Sequence, residues 1–273
     1  MGIRLGIIGG GNMGAAIVRG SIEAGVLSPQ AIMVADLEES RRVAAEALGC
    51  LTTADARDVV GAEQIMLAVK PQGFARVADD LAPLGPPTVV ISIMAGLESR
   101  AIRDGLGPSA RVIRVMPNMP CQVGAGMTVI ALGAGAQPGD ETLAVRIFEA
   151  LGRTVMLDET HMHAVTGLSG SGPAYVFLLA EAMERAASEA GLDDATASLL
   201  VRQTIRGAAT LLSDSGRKPV DLRAAVTSPG GTTEAAIGVM TDRDLPGIVA
   251  DAIKAARERG AELGTDSFRS RGG

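Results

Sequence analysis

Two short glycine-containing stretches carry the residue types that hold anions. The first is Gly9-Gly10-Gly11-Asn12-Met13-Gly14, which fits the spacing G-x-G-x-x-G. In a chain with 35 glycines the pattern alone says little, so its surroundings decide its meaning. It follows the apolar run Ile3–Ile8 directly and opens a helical stretch, Ala15–Ala24. In that setting Gly9 permits a tight turn, Gly11 lets the backbone approach a pyrophosphate, and Gly14 lets helix and strand pack closely. The free N–H groups of the helix start then face the phosphates. The second stretch is VTSPGGTTEAAI, Val226–Ile237. Pro229 fixes φ and ends the preceding helix. Gly230 and Gly231 have no side chain, so a small molecule can touch backbone there. A helix resumes at Thr232, leaving its first N–H groups without intrahelical partners. Ser228, Thr232 and Thr233 add hydroxyls. Both a plain helix start and a seat for a small carboxylate fit these residues. The helix dipole favours the carboxylate by roughly 0.3–1 kcal/mol at an exposed site.

Other chemistry-bearing residues fall where an open α/β sheet binds its ligands, beyond the carboxyl ends of strands. Asp36 ends the second strand, a little past the glycine motif. An acid there binds the adenosine ribose hydroxyls and repels a 2′-phosphate, which slightly favours NADH over NADPH. Arg41 and Arg42 follow on the next helix, within reach of a phosphate. Lys70 closes the third strand in LAVKPQ, and it is one of only three lysines against twenty-two arginines. In a chain with that preference, a lysine beside a proline at a strand end invites a functional reading. No strong general acid stands out. His161 and His163 fall near the junction of the two halves, and Tyr175 opens an apolar helix; packing or surface roles suit all three.

The elements that must position these residues divide the chain in two. Strand-like runs occur at Ile3–Ile8, Ile32–Ala35, Gln64–Val69, Thr88–Ile93, Arg111–Val115 and Met127–Leu132, with helical stretches between several of them. They are continuously apolar rather than alternating, as in parallel strands covered on both faces. The expectation is an α/β fold: an N-terminal Rossmann-like, doubly wound, mostly parallel sheet over 1–160. After about Asp158 the strand signals stop. Helical stretches follow at Pro173–Ala190, Asp193–Ser213, Thr232–Met240 and Leu245–Leu263, giving an all-helical C-terminal part over 161–273. The first of these is apolar on most faces and wants burial all round. Packing of two copies into a helical homodimer would supply it, and so would packing against the N-terminal domain. The tail from Thr265 reads as frayed.

Composition narrows the function classes. The 273 residues are 47% hydrophobic, enough for a sizeable core, and carry a net charge of -6, which argues against a nucleic-acid partner. Cys50 and Cys121 make no disulfide framework, so a reducing compartment is expected. No signal peptide or membrane span is apparent, and the cytoplasm is the expected location.

GGGNMG, AVKPQ, VMPNMP, GLSGSGPAY and TSPGGTT occur in this order, and together they resemble pyrroline-5-carboxylate reductase from about Ile3 to Leu263. LSGSGPAY and TSPGGTT are specific to that family; the glycine motif is not. The resemblance implies a Rossmann domain followed by a helical domain that interlocks two subunits, with dimers associating into rings. It implies reduction of 1-pyrroline-5-carboxylate to L-proline with NADPH or NADH. By position, Gly9, Gly11, Asn12, Met13 and Gly14 would hold the pyrophosphate. Ala68, Lys70, Pro71, Ala95 and Gly96 would line the ribose and nicotinamide path. Ser228, with N–H groups near Gly231 and Thr232, would take the substrate carboxylate, Gly230 and Thr233 would also contact the substrate, and the Thr233 hydroxyl would bond the ring nitrogen as the catalytic group. His163 stands where the family often has Asp, Met119 where Thr is common, and Asp55 where related chains carry Asn. These departures bear on cofactor choice rather than on the reaction. Two rival readings are a β-hydroxyacid dehydrogenase, which would need Lys218 or Lys254 at its substrate, and a non-catalytic dinucleotide sensor. No metal is expected.

Overall fold

A computed structural model describes residues 2–269, with side chains to Gly264. Eight strands form one sheet in the order β3-β2-β1-β4-β5-β6-β7-β8. They are β1 Leu5–Ile8, β2 Ile32–Ala35, β3 Leu51–Thr53, β4 Gln64–Leu67, β5 Thr88–Ser92, β6 Ala110–Met116, β7 Gly126–Leu132 and β8 Gly152–Met156. All neighbours run parallel except β6 and β7, whose antiparallel register pairs Val115 with Ile130. Five helices accompany the sheet: α1 Asn12–Glu23, α2 Glu39–Glu46, α3 Phe74–Leu81, α4 Ser99–Leu106 and α5 Thr142–Glu149.

The continuous apolar runs have a direct structural cause. Successive strand residues point to opposite faces, and both faces are covered. Ile7, Met66 and Ile91 join one core with Ile17 of α1 and Phe148 of α5. Their chain neighbours Ile8, Leu67 and Val90 join a second core with Phe74 of α3 and Ile102 of α4. The two strands that the sequence does not predict are the edges. β3 is only three residues long and β8 is half polar and largely exposed, so neither shows an apolar run.

After β8 come a short helix, α6 Met162–Val165, and a π-helical turn over Thr166–Gly170. Then follow α7 Gly172–Glu189, α8 Asp194–Asp214, α9 Pro219–Ala225, α10 Thr232–Asp242 and α11 Leu245–Arg269. The helical character expected after Asp158 holds throughout this region. Helix continues to Arg269 where the sequence predicts fraying, and residues 270–273 lie outside the described residues.

The chain forms two compact units: residues up to Ser171 together with those from Lys254 onward, and Gly172–Ile253. The first therefore takes in 161–171 and the later part of α11, beyond the division expected at residue 160. Met162 is buried against Val129 and Ala131, which ties that segment to the sheet. In the second unit α8 buries Ala197 and Val201, whereas Phe177, Leu178 and Leu199 are 58%, 65% and 69% exposed. Such exposure is unusual for side chains of this size, each worth ~1.5–3 kcal/mol when buried.

Candidate active site

The sheet order reverses between β1 and β4, and a cleft of about 950 Å³ opens at the carboxyl ends of these strands. That switch point is where open α/β sheets take their ligands. Gly9, Gly11, Asn12, Met13, Asp36, Ala68 and Lys70 all line it. Gly14 is buried in the first turn of α1, and Pro71 begins a 3-10 turn after Lys70. Ala95 and Gly96 fall in the loop between β5 and α4.

The glycines follow from packing. Gly9 has φ of 108°, and a Cβ there would lie 2.6 Å from the Ala68 carbonyl oxygen. A Cβ on Gly14 would overlap the Gly9 carbonyl oxygen. Gly11 faces open space, with only an Arg41 guanidinium nitrogen 3.9 Å from a Cβ position. It N-caps α1 without a side-chain hydrogen bond, and the first turn holds no acid, so the leading N–H groups remain open to an anion. These features fit a dinucleotide pyrophosphate.

Asp36 does more than the sequence suggests. Its side chain is only 7% exposed and clamps the motif from the second strand. The Gly10 N–H donates to Oδ2 at 2.7 Å, and the Glu38 N–H donates to Oδ1 at 2.9 Å. Arg41 sits 3.4 Å from Oδ2 and 2.7 Å from a Glu38 oxygen. Arg42 donates instead to the backbone carbonyls of Asp36 and Leu37, at 2.8 and 3.0 Å. Past the neighbouring end of β3, Asp55 holds Arg57 through bonds of 2.5–3.0 Å. The Arg57 side chain and its backbone N–H pull the Asp55 carboxyl down to about 2. Arg57 and Arg76 also line the cleft, and the sequence does not predict them there. Lone arginines near a short acidic stretch carry no distinctive spacing, so no signal marks them.

The second predicted stretch lies in the helical unit. Ser228–Gly231 is a type II turn: the Gly231 N–H donates to the Ser228 carbonyl at 3.0 Å, Pro229 occupies the second position, and Gly230 takes φ of 74° at the third. Gly231 then N-caps α10 with no side-chain cap. One of the expected donors is thus already used, and so is its neighbour. Gly231 serves the turn, and the Gly230 N–H donates to Glu234 Oε2 at 2.8 Å. The N–H groups of Thr232 and Thr233 begin the helix and carry no intrahelical bond. Glu234 is the neighbour of this corner that the motif alone does not reveal. Its place at the third helical position, where acids fold back over the cap, is the signal that was present.

The histidines do not assemble a proton relay. His161 is exposed, and His163 Nδ1 is buried without a hydrogen-bond partner. Burial, then the Arg114 charge, push the His163 pKa down, against Glu98 and Glu159. Asn118, in the VMPNMP motif, is structural. Its amide donates to the Ser169 carbonyl at 3.2 Å, and its oxygen accepts from the Met127 N–H at 2.9 Å. Among the described residues no cluster suits a metal ion, and no helix is long and apolar enough to cross a membrane.

A glycine loop seated at the switch point of this sheet, followed along the chain by a helical region, defines a Rossmann-type oxidoreductase that uses a nicotinamide dinucleotide. Residues 159–263 match the family model described as pyrroline-5-carboxylate reductase dimerisation, and residues 4–96 match NADP oxidoreductase, coenzyme F420-dependent. The chain is 40% identical to a pyrroline-5-carboxylate reductase of Synechocystis over 97% of its own length and 99% of the relative's. It is 39% identical to one from Methanosarcina acetivorans, covering 96% and 98%. Among solved structures, a reductase of this kind from Coxiella burnetii superposes with a TM-score of 0.85 at 37% identity, covering 95% and 98% of the two chains. The Plasmodium falciparum enzyme, solved with NADP bound, gives 0.86 at 26% identity, covering 96% and 98%. The chain belongs to the pyrroline-5-carboxylate reductase family. These relatives do not favour the hydroxyacid-dehydrogenase alternative, and Lys218 and Lys254 are both exposed.

Proposed function

We propose that this enzyme reduces 1-pyrroline-5-carboxylate to L-proline, with residues 1–160 holding the dinucleotide and 161–273 holding the substrate and the dimer contacts. The observation that carries the reading is the presence of both anion-holding stretches in a chain that matches the family end to end. A bound dihydronicotinamide would supply the hydride that reduces the imine carbon of a substrate whose ring nitrogen arrives already protonated. The chain's own part is positioning. Gly9, Gly11, Asn12, Met13 and Gly14 hold the pyrophosphate, and Ala68, Lys70, Pro71, Ala95 and Gly96 line the path to the ribose and nicotinamide. The Thr232 and Thr233 N–H groups and the Ser228 hydroxyl take the carboxylate on the Gly230–Gly231 corner. The Thr233 hydroxyl orients the ring nitrogen; it is too weak an acid to protonate it, so the iminium form of the substrate is the reactive one.

NADH is the favoured cofactor in this reading. Asp36 Oδ1 accepts one N–H bond and keeps capacity for a ribose hydroxyl. Arg41 and Arg57 are already paired with carboxylates, which weakens them as hosts for a 2′-phosphate. The exposed apolar side chains of α7 and α8 support an interlocked homodimer, and rings of such dimers extend it. The buried, free Cys50 and Cys121 support a cytoplasmic location. Steady-state assay with the pyrroline substrate tests the reading. Proline should form with either dinucleotide and with higher kcat/KM for NADH. No proline with either would overturn the reaction, and a preference for NADPH would overturn the role given to Asp36.

A further inference from the structure

The loop between β5 and α4 is held from two sides, and neither hold comes from the glycine motif. At its far end the Ser99 N–H donates to Glu159 Oε1 at 2.7 Å, and the Ser99 hydroxyl donates to Glu159 Oε2. Arg114, 4% exposed, pairs with the same carboxylate at 3.1 Å. At its apex the loop meets α11. Gly96 has φ of 82°, and a Cβ there would lie 2.6 Å from the Gly260 carbonyl oxygen, 3.1 Å from Leu263 Cβ and 3.2 Å from the Gly264 nitrogen. A Cβ on Gly264 would in turn overlap the Gly96 carbonyl oxygen. Backbone therefore packs on backbone, with a glycine required on each side. Both segments belong to the same compact unit. Gly260, one turn earlier on α11, differs: its Cβ would meet His163 Nδ1 at 3.6 Å and Thr166 Cγ2 at 3.8 Å, which is ordinary contact.

We infer that Gly264 is a positioning residue for the reaction: by letting α11 seat directly on Gly96, it fixes the loop that presents Ala95 and Gly96 to the nicotinamide. The inference rests on the placement of Ala95 and Gly96 proposed above. A side chain at 264 pushes the Gly96 carbonyl and shifts the loop, while the pyrophosphate grip after β1 and the clamp at Asp36 are untouched. The reduced ring is then misplaced although the rest of the dinucleotide still binds.

Three variants of the full-length enzyme separate the possibilities. Gly264→Ala should lower kcat about tenfold, since misplacement on the order of 1 Å slows reaction by one to two powers of ten. Its dissociation constant for ADP-ribose, which lacks the nicotinamide, should stay within about twofold of wild type. Gly260→Ala makes the same helix-favouring change and should leave kcat within about twofold. Equal kcat for Gly264→Ala and wild type overturns the inference, and so does equal loss of kcat and ADP-ribose binding, which marks general damage. Ala95→Leu distinguishes the reason. A fall in its kcat with Gly264→Ala unaffected removes only the helix seat, whereas unchanged kcat in both removes the nicotinamide placement itself. Should Gly264→Ala not fold, Gly96→Ala probes the contact from the other side: a lower kcat with intact ADP-ribose binding supports the seat, and an unchanged kcat or a parallel loss of both overturns it.

Discussion

The glycine loop after β1 and the glycine corner before α10 are built from the same parts, yet they are held in opposite ways. In the loop, Gly9 is dictated by the Ala68 backbone and Gly14 by that of Gly9, the Asp36 side chain holds the Gly10 N–H, and Gly11 alone of the four faces open space. The corner is exposed, and among the described residues its internal turn and the Glu234 side chain hold it. The contacts around Gly230 leave open space on the Cβ side. The loop proposed to grip a long, flexible dinucleotide is thus preassembled within one unit. The corner proposed to take a small ring keeps its donors open on a unit whose apolar helices are themselves exposed.

Breaking the loop should therefore cost fold and binding together, and breaking the corner should cost turnover alone. Gly9→Ala tests the first half. It forces a Cβ into positive φ and against the Ala68 carbonyl, a strain of about 1–3 kcal/mol. Urea unfolding should show that loss, and kcat/KM for NADH should fall by about 100-fold or more. Thr233→Ala tests the second half. Its kcat should fall about 10- to 100-fold, with the dissociation constant for NADH and the urea midpoint unmoved. A Thr233→Ala enzyme with normal kcat would leave the hydroxyl without a part in the mechanism.

How legible each region is in the sequence follows from the same contrast. β1, β2 and β4 to β7 announce themselves because both of their faces are buried, and the glycine motif is readable because its spacing encodes backbone packing. β3 and β8 are hidden because an edge strand needs no apolar run. The Asp36 position was readable, but its grip on Gly10 was not, since spacing fixes where a carboxylate stands and not which donor it faces. Gly264 was invisible for a related reason. A glycine in a helix gives no sign of the distant backbone that packs on it.

Glu234 sharpens the comparison at the corner. Its carboxylate accepts the Gly230 N–H and places a negative charge beside the donors proposed for the substrate carboxylate. The pair is exposed, so the repulsion is screened and amounts to a few tenths of a kcal/mol up to about 1. Glu234→Gln keeps an acceptor for Gly230 while removing the charge. KM for the pyrroline substrate should fall about two- to fivefold, more at low salt, with KM for NADH unchanged. A KM that rises would show that the charge helps organise the corner instead.

The smallest expected effect lies at His163, where the segment after β8 meets α11. Burial and the Arg114 charge hold its pKa below the ordinary value, and Glu98 and Glu159 oppose them only in part. The unfolded chain therefore takes up this proton first as pH falls, at about 6.5. The linked contribution to stability is complete above that pH and declines below it, because unfolding then binds a proton that the native state resists. The capping carboxylates of Asp158 and Asp193 behave differently. Bonds from Thr160 and Thr196 lower their pKa values, so their contributions fade only in the acid range below about 4. Urea midpoints at pH 7.5 and 5.5 isolate the histidine from these groups. The wild-type midpoint should drop between the two, and His163→Gln should drop less. Equal drops would mean that the unpartnered ring nitrogen is hydrated and titrates freely, and that the packing of α11 here is looser than the close approach at Gly96.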